Sequence, residues 1–173
     1  LLDLLPHGDE TLTERISAAL NDEALDDAQR SLAVRMLGRT ATADRVEMLI
    51  DLLLHGSPLM QGAAAEALGY VGDPRGVNPL VIFLYDSRNE LREIAVEALG
   101  RIGHDSAVEK VIGLLSDENE WVRRAAAEAL GVLGDRRAVE PLSAAMQDEH
   151  TVVQDAAFEA LKKLSYGKFD AQM

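Results

Sequence analysis

A repeat of 31 residues is the feature that most constrains how this chain folds. When the sequence is shifted by 31 residues against itself, four columns of identical residues fall in register. The columns are Leu37, Leu68, Leu99, Leu130 and Leu161; Ala33, Ala64, Ala95, Ala126 and Ala157; Gly38, Gly69, Gly100 and Gly131; and Val46, Val77, Val108 and Val139. Self-similarity at a period of about 20 to 50 residues is typical of a solenoid, in which each unit packs on its neighbours.

Each period contains two amphipathic helix patterns. The first, VRRAAAEAL, repeats apolar residues at i, i+4 and i+8 and predicts a buried stripe of Val122, Ala126 and Leu130. The exposed side of this helix is expected to carry Arg123, Arg124 and Glu128. The second pattern, RAVEPLSAAM, predicts a buried stripe of Val139, Leu142, Ser143 and Met146.

The turn between the two helices carries the segment Gly-x-x-Gly-Asp. Its second glycine, Gly72 or Gly134, is suited to the left-handed conformation that ends a helix. The aspartate that follows, Asp73 or Asp135, is suited to cap the next helix by accepting a hydrogen bond from its unpaired amides. Because these glycines follow helices and recur in every unit, they indicate turns and not a phosphate-binding loop.

Helices of about three turns are marginal in isolation, so the units must stack to bury their apolar stripes. We therefore predict an all-α fold, a right-handed α-solenoid of stacked antiparallel helix pairs, forming one array over residues 1–173. Residues 1–28 form an irregular first unit, 29–164 the regular repeats and 165–173 a tail whose Phe169 is expected to cover the last helix. First helices are predicted near 29–38, 60–70, 91–101, 122–132 and 153–164, and second helices near 10–20, 44–54, 76–86, 107–115 and 138–147.

The charge of the chain excludes several classes of partner. A formal net charge of −13 repels phosphate backbones and anionic lipids, so we expect neither nucleic-acid binding nor membrane binding. No run of apolar residues approaches the length of a membrane helix. The absence of cysteine excludes disulfides and thiolate metal sites and agrees with a cytoplasmic location. Because the sequence begins with Leu1, we also expect a fragment of a longer protein.

No group of residues points to catalysis. The histidines, His7, His55, His104 and His150, are dispersed, and no helix carries an i, i+3 or i, i+4 pair suited to a metal. Glutamates at 66, 97, 128 and 159 share one repeat column, which is typical of a solvated helix face. We expect no catalytic residue, no metal and no cofactor. Trp121 has two interpretations, as a cover for a local apolar junction or as a binding residue.

The units carrying VRRAAAEALGVLGD and DPRGVNPL resemble HEAT-like repeats, most closely the short subtype found in phycobilin lyases. The resemblance implies a ladder of Asp and Arg side chains linking successive units, here Asp86 with Arg92 and Asp117 with Arg123. The equivalent pairs elsewhere are His55 with Gln61 and Asp148 with Gln154, so the ladder is expected to lapse at those two joints. The sequence has no His-Glu step, which separates it from the iron-dependent deoxyhypusine hydroxylases of similar fold.

The resemblance also implies that the second helices line a concave face that binds partners. Their outward positions, on the helix face away from the buried stripe, are apolar or small in the middle and charged at the edges, which suits a groove for a helix or an extended peptide. The predicted partner-binding residues are Met48, Asp51, Arg75, Pro79, Ile82, Tyr85, Lys110, Arg137 and Ala144. An alternative is that Ile82 and Tyr85 only pack between adjacent helices.

The sequence leaves three functions open. The first is a non-catalytic scaffold that binds an unidentified protein partner on the concave face. The second, which the resemblance alone implies, is an accessory subunit of the bilin lyase or isomerase type acting on phycobiliproteins, with Arg75, Arg137 and Tyr85 contacting a tetrapyrrole. The third is a stiff arm of a larger protein, or an oligomer joined through its uncapped ends.

Overall fold

The protein alternates long and short helices along the chain. The computed structural model describes residues 18–20, 24–39 and 45–166, and every regular element in these ranges is helical. The long helices are α1 (Asp27–Arg39), α3 (Pro58–Val71), α5 (Asn89–Ile102), α7 (Glu120–Leu133) and α9 (Thr151–Tyr166). The short helices are α2 (Val46–His55), α4 (Val77–Phe83), α6 (Val108–Gly113) and α8 (Val139–Ala145). The predicted α-solenoid of helix pairs is confirmed.

The turns after the long helices use the predicted chemistry. Gly72 and Gly134 end α3 and α7 at φ 70° and 72°, where a residue with a Cβ would be strained. The carboxylates of Asp73 and Asp135 then accept hydrogen bonds from the amides two residues later, at 2.9 and 2.8 Å. These bonds start single turns of 3₁₀-helix, Pro74–Gly76 and Arg136–Ala138, that lead into α4 and α8.

The long helices form one closely packed layer, and the short helices form a second layer against it. At each contact between long helices, a glycine of one helix lies on an alanine of the next. The pairs are Gly38 with Ala67, Gly69 with Ala98, Gly100 with Ala129 and Gly131 with Ala160. A Cβ added to Gly100 would lie 2.8 Å from the Cβ of Ala129, so the repeat glycines set the spacing between these helices.

The core runs along the array and follows the repeat columns. Leu37, Leu68, Leu99 and Leu130 are fully buried, and Leu161 is partly buried against the same core. The last short helix corrects one prediction: Val139 is 41% exposed and Ser143 is also exposed, although the sequence pattern assigns both to the buried stripe. In the described part of the chain no helix follows α8 in its layer, whereas earlier short helices have such a neighbour.

Two further expectations are corrected by the packing. Arg123, predicted on the exposed side of its helix, is 7% exposed because it lies in a network of hydrogen bonds between units. Met48, predicted to face outward, is partly buried against the core. The expected cover of the last helix by Phe169 lies outside the described residues, as does most of the predicted helix at 10–20. Among the described helices, none is long and apolar enough to cross a membrane.

Candidate functional site

Buried arginines link successive turns of the array. Arg92 in α5 donates from Nε and Nη2 to the carboxylate of Asp117, 2.9 and 2.8 Å away, and from Nη1 to the carbonyl of Asp86. Arg123 in α7 repeats this geometry with the carboxylate of Asp148, at 2.7 and 3.0 Å, and with the carbonyl of Asp117. Each guanidinium therefore binds the turn before its own helix and the turn after the next short helix.

This geometry changes the predicted ladder in two ways. Each arginine pairs with the carboxylate 25 residues later, not with the one six residues earlier, which contributes only its carbonyl oxygen. The ladder also continues at Asp148, where a lapse was expected, because Arg123 supplies the guanidinium. Gln154, at the next equivalent position, makes only the hydrogen bond to the backbone: its Nε2 donates to the carbonyl of Asp148 at 2.6 Å.

A substitute arginine completes the joint where Gln61 stands in place of a ladder arginine. Arg88 donates to both carboxylate oxygens of Asp86, at 2.7 and 2.8 Å, and from Nη2 to Oε1 of Gln61 at 2.9 Å. Hydrogen bonds from Arg88 lower the pKa of Asp86 from 3.8 to about 2. The first of the two joints at which the ladder was expected to lapse thus has a charged link of its own.

The short-helix layer carries the nine partner-binding residues predicted from sequence, and the structure separates them into groups. Among the residues that the structure describes, Ile82 and Tyr85 are the most exposed of the large apolar side chains, at 62% and 70%, so they do not serve only to fill a contact between helices. Asp51, Lys110 and Ala144 are exposed, and Pro79 is partly buried. Met48 and Asp51 also line a depression of about 370 Å³, together with Leu20 and Met60.

The two predicted arginines of this layer are already bound. Arg75 donates to both carboxylate oxygens of Asp73 and to Glu47 of the preceding unit at 3.0 Å. Arg137 makes the same contacts with Asp135 and with Glu109 at 3.1 Å. These bonds raise the pKa of both guanidinium groups and lower the pKa of Asp135 to about 2. Both side chains therefore link neighbouring units of the array.

A groove of about 690 Å³ lies on the other layer, across α5, α7 and α9, and we call it the long-helix groove. Its floor consists of the small residues that let the helices approach: Gly100, Ala125, Ala129, Ala156 and Ala160. Its sides carry Glu97, Arg101, Trp121, Arg124, Glu128, Val132, Val152, Asp155, Glu159 and Lys163. The groove contains none of the nine predicted residues.

Trp121 is the largest side chain of the long-helix groove. It follows Asn119, whose side chain accepts hydrogen bonds from the amides of Trp121 and Val122 and so caps α7. Trp121 is 46% exposed, and the guanidinium carbon of Arg124 lies 5.4 Å from the centroid of its ring. Trp121 therefore offers a partly exposed apolar surface at the side of the groove.

The repeated glutamates of the long helices are a sequence feature related to this groove. The pattern alone is typical of a solvated face, whereas the structure places Glu97, Glu128 and Glu159 along the groove. Each of these glutamates directly precedes the alanine on which a repeat glycine lies, as Glu128 precedes Ala129. A helix face that combines a charged column with a column of small residues is therefore the sequence feature that marks the groove.

No metal centre is present among the residues that the structure describes, where no three His, Cys, Asp or Glu side chains are grouped to hold an ion. His55 lies 4.0 Å from the carboxylate of Asp51, and Nδ1 of His150 lies 3.6 Å from that of Asp148 and 3.8 Å from that of Glu149. Nδ1 of His104 instead lies 3.3 Å from the amide of Ser106, the position that Asp73 and Asp135 occupy in the neighbouring turns.

The family of the chain follows from comparison with known proteins. A family model of HEAT repeats matches residues 12–94 and again 77–162. The chain therefore belongs to the HEAT repeat family. No curated protein matches it.

Solved structures share the fold at low sequence identity. A chain in the complex of CpcE and CpcF of phycocyanin lyase from Nostoc sp. PCC7120 is 24% identical, with a TM-score of 0.75 over 94% of this chain and 68% of that one. The X-ray structure of YIBA_ECOLI is 18% identical, with a TM-score of 0.70 over 94% of this chain and 65% of that one. A designed armadillo repeat protein in complex with the peptide (KR)4 is 18% identical, with a TM-score of 0.60 over 91% and 87%.

Proposed function

We propose that this protein is a non-catalytic scaffold that binds a segment of another protein in the long-helix groove. The observation that carries the proposal is the groove itself, with its floor of small residues, its charged sides and its half-exposed Trp121. Tryptophan and arginine are enriched among residues that dominate binding energy, and here Arg124 stacks on Trp121. Repeat proteins of similar fold are found with protein or peptide partners, as in the CpcE and CpcF complex and the designed armadillo complex.

The short-helix layer remains the competing face. Its exposed Ile82 and Tyr85 form an apolar patch, but the arginines expected to bind ligand beside it are bonded to Asp73 and Asp135. The two faces therefore call for an experiment that treats them equally. Each offers two exposed apolar side chains whose replacement by serine removes apolar surface without changing charge.

The test uses peptide display followed by affinity measurement on defined variants. Random peptides are selected on the wild-type protein, and the enriched peptides are titrated against W121S/V132S and against the matched control I82S/Y85S. We expect the long-helix variant to weaken binding by about tenfold or more and the control to change it by less than about twofold. The reverse result would place the site on the short-helix layer, and failure to enrich any peptide would contradict the scaffold proposal.

A second candidate function is an accessory role in bilin attachment, which is supported by the structural similarity to the phycocyanin lyase complex. Arg75 and Arg137, which were expected to contact a tetrapyrrole, are bonded to neighbouring carboxylates. Mixing the purified protein with a bilin and recording the absorbance spectrum tests this function. A shifted or sharpened spectrum would support it, and an unchanged spectrum would remove it.

A further inference from the structure

The side of α9 that points away from α7 differs from the same side of the other long helices. In α7 this side contains Gly131, which lies on Ala160 of α9, and the fully buried Ala127. One repeat later the equivalent residues are Lys162 and Phe158. Phe158 is 53% exposed, whereas its counterparts in the four earlier long helices are all fully buried: Val34, Ala65, Val96 and Ala127.

These two replacements rule out a further unit packed on α9 in the regular way. A single carbon added to Gly131 would lie 2.8 Å from the Cα of Ala160, and Lys162 places a whole side chain at the position of that glycine. Phe158 likewise stands where the other long helices have a residue no larger than valine. Whatever covers this side of α9 must therefore have a surface that differs from that of a regular unit.

The exposed residues on this side of α9 have the spacing of a helix-packing seam. They follow one another at intervals of four and three residues in turn, which keeps them on one side of an α-helix and suits contact with a second helix. These residues, which we call the end-face stripe, are Thr151, Asp155, Phe158, Lys162 and Ser165, and all five are exposed. The aromatic ring lies at the middle of the stripe.

The two charges of the end-face stripe lie on opposite sides of Phe158. Asp155 precedes it by three residues, and among the described residues no cation forms an ion pair with Asp155. Lys162 follows Phe158 by four residues and pairs with the exposed Glu159 at 3.3 Å. Because an ammonium group has three N–H donors, Lys162 can bind a second carboxylate without giving up that pair.

The end-face stripe is complementary to itself when its direction is reversed. In two antiparallel copies of α9, Phe158 faces Phe158, Asp155 faces Lys162 on both sides of it, and the outer positions pair Thr151 with Ser165. A two-fold interface makes each of these charge pairs twice. Parallel copies would instead place Asp155 on Asp155 and Lys162 on Lys162, which repel each other. The order of the charges thus selects the antiparallel arrangement.

We propose that the end-face stripe is a dimerisation surface, on which the α9 helices of two copies of this chain pack antiparallel about a two-fold axis at Phe158. The axis is perpendicular to α9 and lies in the interface, so that α8 of each copy also meets α8 of the other and covers the exposed Val139. The long-helix grooves of the two copies then face the same side of the dimer. Dimerisation does not depend on what the groove binds.

The affinity of this dimer should be modest. Each copy contributes one long and one short helix, which is at the small end of stable interfaces. The formal net charge of −13 on each copy also opposes association at long range. We therefore expect a dissociation constant of about 10–100 µM. Sedimentation equilibrium over about 1–300 µM protein measures it.

The apolar contact is tested with two serine variants. F158S removes the ring at the two-fold axis without changing the charge, and the control Y85S removes an equally exposed ring from the short-helix layer. We expect F158S to weaken dimerisation by about tenfold or more and Y85S to change it by less than about twofold. Circular dichroism checks that both variants keep the helicity of the wild type.

The antiparallel arrangement is tested by reversing charges. D155K and K162D each place like charges opposite one another, so each variant alone should dimerise about tenfold more weakly than the wild type. An equimolar mixture of D155K and K162D restores opposite charges at both positions and should form a heterodimer with about the affinity of the wild-type dimer. The control K163D makes the same charge change one residue away, beside the long-helix groove, and should weaken dimerisation by about threefold or less.

A wild type that stays monomeric at about 300 µM would overturn the proposal. If F158S nevertheless lowers the melting temperature of that monomer more than Y85S does, the cover of Phe158 comes from within the chain. A wild-type dimer that is indifferent to F158S would also overturn it, because the interface then lies elsewhere. A mixture of D155K and K162D that associates no better than either variant alone would exclude the antiparallel pairing.

Discussion

The guanidinium of Arg123 and the carboxylate of Asp148 form two hydrogen bonds, 2.7 and 3.0 Å long, between side chains that are 8% and 11% exposed. These bonds lower the pKa of Asp148. The same guanidinium reaches back to the carbonyl of Asp117 at 2.8 Å and so holds two turns of the array to α7. Because charges are costly to bury, such a link is stable only while both partners are present.

Replacing Arg123 by methionine should therefore destabilise the protein by about 3 kcal/mol, because it leaves the carboxylate of Asp148 buried and unpaired. Urea unfolding followed by circular dichroism measures this loss. The control R124M removes a more exposed arginine of the same helix and should cost about 1 kcal/mol or less. Adding D148N to R123M should recover more than half of the loss, since asparagine keeps an acceptor for the amide of His150 and has no charge. No recovery would mean that Arg123 stabilises the array mainly by packing.

The ion pair between Arg88 and Asp86 should make the stability of the protein depend on pH. The pKa of this carboxyl is lowered to about 2, so its contribution to stability is fully present above the unfolded pKa near 4 and is lost as the pH falls through 2. In R88M the pKa of Asp86 should move back toward 3.8, which carboxyl carbon NMR can follow directly. The variant should be less stable by about 1 kcal/mol at pH 6, allowing for solvent screening at the half-exposed Arg88, and the difference should shrink at pH 3.

Restoring the regular ladder offers a check on this interpretation. Adding Q61R to R88M places an arginine at the position that Arg92 and Arg123 occupy in the following long helices. It should bring the pKa of Asp86 down again and recover stability at pH 6. If the NMR titration of Asp86 is the same in the wild type and R88M, the link from Arg88 does not exist in solution.

The repeat columns were sufficient to predict the fold, because helix periodicity and turn chemistry are local properties of the sequence. Gly72, Gly134, Asp73 and Asp135 behave as predicted for that reason. The connectivity of the ladder was not predictable in this way, since Asp148 lies 25 residues from Arg123 and their pairing depends on how one unit sits on the next. The position of the groove depends on the same relationship.

The repeat columns mark the groove only indirectly, because its floor depends on how closely successive long helices pack. In the repeat pattern the first glycine of each Gly-x-x-Gly-Asp segment is part of the turn, whereas in the structure Gly100 and its equivalents lie in the last turn of the long helices and bring these helices into close contact at Ala129 and its equivalents. That contact creates the floor of the long-helix groove. The predicted residues of the short-helix layer depend on helix periodicity alone, which identifies outward positions without showing which outward face is grooved.

The close contact at Gly100 predicts opposite effects for the same substitution at two glycines. G100A places a Cβ 2.8 Å from that of Ala129, so its gain in helix propensity should be exceeded by overpacking, with a net loss of about 1–3 kcal/mol. G113A has open space around the new Cβ and helical backbone angles, and should stabilise by about 0.5–1 kcal/mol. Thermal unfolding of the two variants gives the comparison. Equal stabilisation at both positions would show that the long helices are not in close contact at Gly100.

The repeat valine that is buried in α6 is exposed in α8, so its replacement should have a different effect on stability in the two helices. Val108 is fully buried, whereas its equivalent Val139 is 41% exposed, although the two occupy the same position of the repeat. V108A should therefore cost about 2 kcal/mol through lost burial and the cavity that remains, and V139A about 0.5 kcal/mol or less. Urea unfolding at two protein concentrations measures both values. Equal costs would show that Val139 is covered in solution, and a cost that grows with protein concentration would identify a second copy of the chain as the cover, because association stabilises the folded state by mass action.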